Sequence, residues 1–331
     1  MSAALYDVVA VGNAIVDIQQ RTPEDFLGSH GIAKGAMTLI EEDRALYLTG
    51  VFAEATLAAG GSAANTVTGV ASFGGKAAYI GKVADDALGE RFTREFRAAG
   101  VAFDTPPRPG PPGTARCVIA ITPDGQRSMS TYLGCSTLLT ESDLDAALIR
   151  SGRLTFLEGY LFDREDAKRA FVKAAEIAKG AGRQVALTLS DVFCVERHRE
   201  SFQHLVRGHI DVLFANEAEL LALYQTGDLD QALATARRHC PIVAVTRSEK
   251  GSLVAGPEGD MVVVTAASTP AVIDTTGAGD LYAAGFLFGL ARGKTLGDCG
   301  RLGSIAAAEV ISHMGPRPEV PLKDLAAAAG L

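Results

Sequence analysis

An α/β fold with a mainly parallel central sheet between two helical layers is what this sequence of 331 residues predicts. Two observations predict it. Short apolar runs of strand type alternate with longer runs of helical period, most regularly from residue 141 onward. Glycine is also unusually frequent, at 36 positions, as tight turns between many elements require.

Residues 6–12 read as a buried strand closing on Gly12. Residues 36–40 form a short strand and 41–48 a helix. A helix of small residues over 62–73 is opened by Gly60-Gly61 and closed by Gly74-Gly75. Residues 77–83 read as a strand and 86–99 as a helix. The stretch 105–113, rich in proline and glycine, is a loop or hinge. Residues 115–122 and 127–133, separated by Pro123-Asp124-Gly125-Gln126, form a hairpin that leaves the βα rhythm and so predicts a flap. Helices at 141–149, 164–180 and 196–207 then precede strands at 153–158, 183–189 and 210–215. Helices 216–225 and 228–239, strand 241–246, a second hairpin (252–256 with 261–266) and helices 277–292 and 295–313 complete the chain.

A composition of 47% hydrophobic and 21% charged residues suits a large core. The net charge of −8 argues against a nucleic-acid or anionic-membrane partner. Cys117, Cys135, Cys194, Cys240 and Cys299 are odd in number and lack metal-ligand spacing, which predicts free thiols in a reducing cytoplasm. No leader-like N-terminus and no long apolar run stands out.

The chemistry concentrates in Asp274-Thr275-Thr276-Gly277-Ala278-Gly279-Asp280, which runs straight into an apolar helix. Unpaired N–H groups and the helix dipole suit an anion there, and Gly277 and Gly279 let backbone approach a phosphate. Asp280, in the first turn beside that anion, can take a proton from a hydroxyl attacking phosphorus. A lone first-turn acid could equally serve only the helix dipole. Gly293-Lys294-Thr295 is no P-loop, because Phe288 stands at its first glycine position and a helix precedes it. Tyr282 likewise breaks a dinucleotide fingerprint begun at Gly277.

The seven-residue string resembles the C-terminal signature of the ribokinase (PfkB) family of sugar and nucleoside kinases. Gly60-Gly61-Ser62-Ala63-Ala64-Asn65, Gly81-Lys82-Val83-Ala84-Asp85-Asp86 and Asn216-Glu217-Ala218-Glu219 resemble further motifs of that family, in order along the chain. Gly12 to Ile18, Pro112-Gly113-Thr114, residues 187–190 and residues 211–216 are similar to its adenosine kinase branch. The resemblance implies a ribokinase-like α/β/α domain over 1–331, with a small β lid from about 14–40 and 112–134. It implies transfer of the ATP γ-phosphoryl group to the 5′-hydroxyl of a nucleoside, adenosine first. A sugar kinase of the same fold and a non-catalytic nucleoside or sugar sensor are the alternatives.

By the same resemblance, Asp280 is the base and Gly277, Ala278 and Gly279 the anion hole. Asn13, Asp17, Gly60, Gly61, Ser62 and Asn65 hold the acceptor, Arg127 reaches the transferred phosphate from the lid, and Tyr160, Phe162 and Phe193 hold the base. Asn216, Thr246, Gly251, Thr275 and Ser304, with Gly277 and Gly279, bind ATP. Glu219 and Asn216 organise Mg²⁺ through water, although Asn216 and Glu219 also suit a helix cap. Ser248 departs from the family pattern, which has glycine there. The resemblance admits a monovalent cation such as K⁺ and a monomer or homodimer.

Overall fold

The computed structural model describes residues 4–257 and 259–331. In chain order the elements are β1 (Tyr6–Val11), β2 (Ile15–Arg21), α1 (Glu24–Ser29), β3 (Met37–Leu39), α2 (Glu42–Val51), β4 (Thr56–Gly60), α3 (Ser62–Ser72), β5 (Ala77–Ile80), α4 (Ala87–Ala98) and β6 (Val101–Ala102). Then follow β7 (Ala115–Ile121), β8 (Arg127–Tyr132), α5 (Ala146–Ser151), β9 (Gly152–Glu158), α6 (Glu165–Gly180), β10 (Gln184–Thr188), α7 (Val192–Gly208), β11 (Val212–Asn216), α8 (Glu217–Tyr224) and α9 (Leu229–Arg237). The chain ends with β12 (Ile242–Thr246), β13 (Ser252–Ala255), β14 (Met261–Val264), α10 (Ala278–Ala291), α11 (Leu296–Val310) and α12 (Leu322–Ala328).

Among the described residues these strands form two sheets. The larger has the order β14-β13-β12-β11-β10-β9-β1-β5-β6, antiparallel only where β13 joins β12 and β14. Its strands are continuous apolar runs because both faces are covered. In β1, Val8 and Ala10 enter the core shared with α3, α10 and α11, while Val9 and Val11 enter the core shared with α6, α7, α8 and α9.

The smaller sheet has the order β3-β8-β7-β2-β4. The expected hairpin is β7–β8, and it does leave the main sheet. Strands β2 and β4 escaped the sequence reading; the latter, Thr56-Leu57-Ala58-Ala59-Gly60, has weak strand propensity and owes its state to its neighbours. One of them is α4, which covers the open edge of β4: Arg91 donates to the Leu57 carbonyl at 2.9 Å and the Ala59 N–H donates to Glu95 at 2.8 Å.

Other differences lie at helix ends. The expected helix 141–149 is a 3-10 turn, Glu141–Asp143, followed by α5, which restarts because Asp145 caps it through the N–H groups of Ala147 and Leu148 (2.8 and 3.0 Å). Helix α7 begins at Val192 rather than 196, capped by Asp191 on the Cys194 N–H (2.6 Å), and kinks at His198. Helix α10 is gripped between α3 and α11 at glycines: a Cβ on Gly285 would lie 2.4 Å from the Leu302 backbone, and one on Gly69 2.6 Å from the Ala284 Cβ. All five cysteines are buried, and no disulfide joins them among the described residues. No helix among the described residues is long and apolar enough to cross a membrane.

Candidate active site

The N-terminus of α10 meets the N-terminus of α3 beside β2 of the smaller sheet, and this junction gathers most of the residues singled out in the sequence. Gly277, at the N-cap of α10, has φ 80°, ψ −1°, a left-handed conformation that favours glycine. Its N–H and those of Gly279 and Asp280 have no acceptor among the described residues, and a Cβ at Gly279 would meet nothing within 4 Å. Unpaired donors at a helix N-terminus are suited to an anion. Ala278, expected among them, instead spends its N–H on the Thr275 carbonyl at 3.2 Å. At Gly277 the missing side chain makes room for Pro316, 2.8 Å from where a Cβ would lie.

Asp280 accepts from the Ser62 hydroxyl at 2.6 Å and from the Asn65 amide at 3.0 Å. Burial pushes its pKa up to about 6, against the pull of those two bonds. That suits a group that must be anionic near neutrality yet able to take a proton.

Close packing explains the Gly60-Gly61 pair. A Cβ on Gly60 would lie 2.6 Å from the Asp17 carboxylate, and one on Gly61, where φ is 107°, 2.2 Å from the Asn13 carbonyl. Asp17 accepts no hydrogen bond from any described residue, and burial raises its pKa to about 6 despite the nearby cations Arg127 and Arg317. Asn13 donates to Glu158 at 2.8 Å through its amide, and its Oδ1 is buried without a hydrogen-bond partner among the described residues. Glu158, which sequence reasoning missed, also accepts from the Ala63 N–H at 2.7 Å. It thereby ties the end of β9 to the loop after β1 and to the first turn of α3. Burial raises its pKa to about 7. Its one sequence signal is a lone carboxylate closing an apolar strand.

Arg127 is not a solvated turn residue. It is buried and ion-paired with Asp274, which also accepts from the N–H groups of Gly315 (2.9 Å) and Thr276 (3.0 Å). Of the three aromatics, Tyr160 donates to the Ser190 carbonyl at 3.2 Å and lies within electrostatic reach of Asp280 and Glu158. Phe193 is 76% exposed on the first turn of α7. Phe162 is not in the site: it is 1% exposed and stacks on Phe202, ring centroids 4.4 Å apart, in the α6–α7 core.

Asn216 and Glu219 form a reciprocal cap. The Glu219 N–H donates to Asn216 Oδ1 (2.8 Å), while the Asn216 N–H and amide donate to the Glu219 carboxylate (2.9 and 2.7 Å). Burial raises Glu219 to about 7, with Asp191 and Asp280 adding repulsion. Among the described residues no cluster of three or more His, Cys, Asp or Glu could hold a metal. This donor set suits a cation carried by phosphates and water rather than by a protein cage. In the loop after β12, Ser248 takes φ 50° and Gly251 φ 80°, so serine holds the left-handed turn where the family pattern has glycine. Thr246 ends β12 beside Asn216. Ser304, expected at the nucleotide, has its hydroxyl committed to the backbone of Ala267 (2.8 Å) and Thr265 (3.3 Å).

Unpaired N–H groups at a helix N-terminus, a buried carboxylate with raised pKa and nearby groups able to pair with hydroxyls, gathered in one junction, are what phosphoryl transfer to an alcohol requires. Residues 32–323 match the pfkB family of carbohydrate kinases, and the chain belongs to that family. It is 51% identical to the adenosine kinase from Sinorhizobium meliloti (TM-score 0.91, covering 98% of this chain and 100% of that one). It is 47% identical to a probable sugar kinase protein from Rhizobium etli CFN 42 (TM-score 0.92, covering 99% of each chain). The adenosine kinase of Saccharomyces cerevisiae is 28% identical over 330 residues, covering 93% of this chain and 96% of that protein. The chain is thus a nucleoside or sugar kinase of the adenosine kinase branch.

Proposed function

We propose that this kinase transfers the ATP γ-phosphoryl group to the 5′-hydroxyl of a nucleoside, adenosine first. The observation that carries the reading is the setting of Asp17. It lies directly across from Cys117 in the β2–β7 register. On the same face Ile15, Cys117, Ile119, Ile121 and Met129 form an apolar cluster separate from the two main cores, and Met314 packs against it from the segment after α11. A carboxylate that can accept from vicinal hydroxyls therefore stands beside a surface able to cover a purine, which a free sugar does not need. Tyr160, which follows β9 within electrostatic reach of Asp280, and the exposed ring of Phe193, which follows β10, are the aromatics this reading assigns to the base. The 51% identity to an adenosine kinase points the same way.

In this reading Asp17 and Asn65 orient the ribose, and Glu158 fixes Asn13 and the α3 N-terminus around it. Asp280 takes the hydroxyl proton as the oxygen attacks, while the N–H groups of Gly277 and Gly279 face the phosphoryl oxygens. Mg²⁺, when bound with ATP, supplies charge neutralisation on the phosphates. Asn216 and Glu219 are the residues that would hold its water shell, and Thr246, Gly251 and Thr275 flank the nucleotide. The smaller sheet closes the acceptor off from water, with Arg127 poised beside the phosphoryl site on Asp274.

Competition between acceptors tests this. Adenosine should be phosphorylated with kcat/KM at least about tenfold above ribose or fructose, a gap of about 1.4 kcal/mol. Phe193→Ala should raise KM for adenosine much more than KM for ATP. A free sugar that turns over better than every nucleoside would overturn the acceptor assignment.

A further inference from the structure

Arg317 sits in the segment between α11 and α12 that is pinned to the signature turn. The Gly315 N–H donates to Asp274 at 2.9 Å, and Pro316 fills the space beside Gly277. The guanidinium lies over the Phe96 ring, 5.5 Å from its centroid. Its Nε and Nη2 are sealed from solvent and have no hydrogen-bond partner among the described residues. A cation used only for packing would be better replaced by an apolar chain of equal volume, because desolvating an unpaired charge is costly. It therefore needs an anion to act on.

Two carboxylates are within its electrostatic reach, Glu95 and Asp17. Glu95 is committed to Arg91 at 2.7 Å and to the Ala59 N–H at 2.8 Å. Asp17 has no donor among the described residues. Arg127, the other cation near Asp17, is already paired with Asp274.

We propose that Arg317 is a positioning residue for the acceptor: it holds Asp17 as the anion that accepts hydrogen bonds from the acceptor's vicinal hydroxyls. The inference rests on the reading of Asp17 as the ligand of those hydroxyls. Asp17 faces Arg127 from β8, Cys117 from β7, Asp280 from α10 and Arg317 from the segment before α12. Arg317 in turn faces Tyr79 from β5 and Glu95 from α4. Burial and Asp280 drive Asp17 towards its neutral form and the two arginines oppose them. Removing Arg317 therefore raises the Asp17 pKa further, and the defect must shrink as pH rises.

The test uses the full chain with ATP and whichever of adenosine and ribose turns over faster. Arg317→Met, which keeps bulk over Phe96, should raise acceptor KM about tenfold near pH 6.5 and less than about threefold near pH 8.5. KM for ATP and saturated kcat should stay within about twofold of the parent, and Arg317→Lys should restore most of the loss. Asp17→Asn should raise acceptor KM at both pH values, with Arg317→Met adding little on top of it. Arg317→Gln serves as a second neutral replacement should the methionine variant fold poorly. A loss independent of pH, or one fully additive to Asp17→Asn, overturns the proposal and leaves the reading of Asp17 standing. An unchanged acceptor KM in Asp17→Asn overturns both.

Discussion

Asp274 and Asp280 stand six positions apart in one motif and have opposite electrostatics. Against burial, hydrogen bonds from the Thr276 side chain and from the Gly315 and Thr276 N–H groups, with Arg127 alongside, hold the Asp274 carboxyl below the usual range. Asp280 accepts only from a neutral hydroxyl and a neutral amide, and burial carries it up to about 6. The signs follow through linkage. The stability Asp274 contributes is present above its unfolded pKa and is lost as pH falls through its lower folded value. Asp280 binds its proton more tightly folded than unfolded, so its contribution falls as pH rises from about 4 through about 6. The first carboxylate ties the smaller sheet to the signature turn, and the second has the few partners and raised pKa that the proposed base needs.

The largest effect should come from Asp280→Asn, which preserves shape and both donors' neighbours. Turnover should fall by ~10²-fold or more with ATP binding intact. Near-parental kcat in a folded variant would erase the distinction between the two acids. Asp274→Asn should act on stability instead. It leaves Arg127 buried without its counter-charge, at a cost of about 3–5 kcal/mol, visible as a lower Tm and denaturation midpoint. Glu219 combines both characters, raised in pKa like Asp280 and fully hydrogen-bonded like Asp274. Glu219→Gln should lower stability by about 1 kcal/mol through the cap and also raise the Mg²⁺ concentration for half-maximal rate. An unchanged Mg²⁺ requirement would assign it to the cap alone. The smallest effect is expected from Ser62→Ala. Losing a donor to the charged form should move the acid limb of the pH–rate profile upward from about 6 by less than about one unit, with the plateau rate barely changed.

Where the sequence carried its own chemistry, it was legible. The Asp274–Asp280 string pointed to an anion because glycines and an acid open a helix there, whereas Gly60-Gly61 and Asn65 entered through their resemblance to PfkB motifs. Glu158 and Arg317 were not legible, since their meaning lies in partners 95 or more positions away along the chain, such as Ala63 for Glu158. Phe162 shows the converse: a loop aromatic suited to a base pocket finds a better partner in Phe202. Strand β4 was hidden for a similar reason, because Arg91 and Glu95 of α4 complete its edge. The alternation of strands and helices after residue 141 survived, whereas helix starts moved to wherever an aspartate could cap, as at Asp145 and Asp191.

The glycine contacts that grip α10 have a mechanical consequence. With Gly285 against the backbone of Leu302 and Gly69 against the side chains of Ala284 and Leu281, the helix carrying Asp280 has little slack, and any side chain added there would displace the proposed base. The molecule is in that respect a vice with one fixed jaw, α10. The facing jaw is the smaller sheet, held at one edge by Arg91 and Glu95 of α4 and joined to the signature turn by the Arg127–Asp274 pair. Gly285 and Gly69 should therefore tolerate no added side chain without loss of stability, although neither belongs to the proposed site.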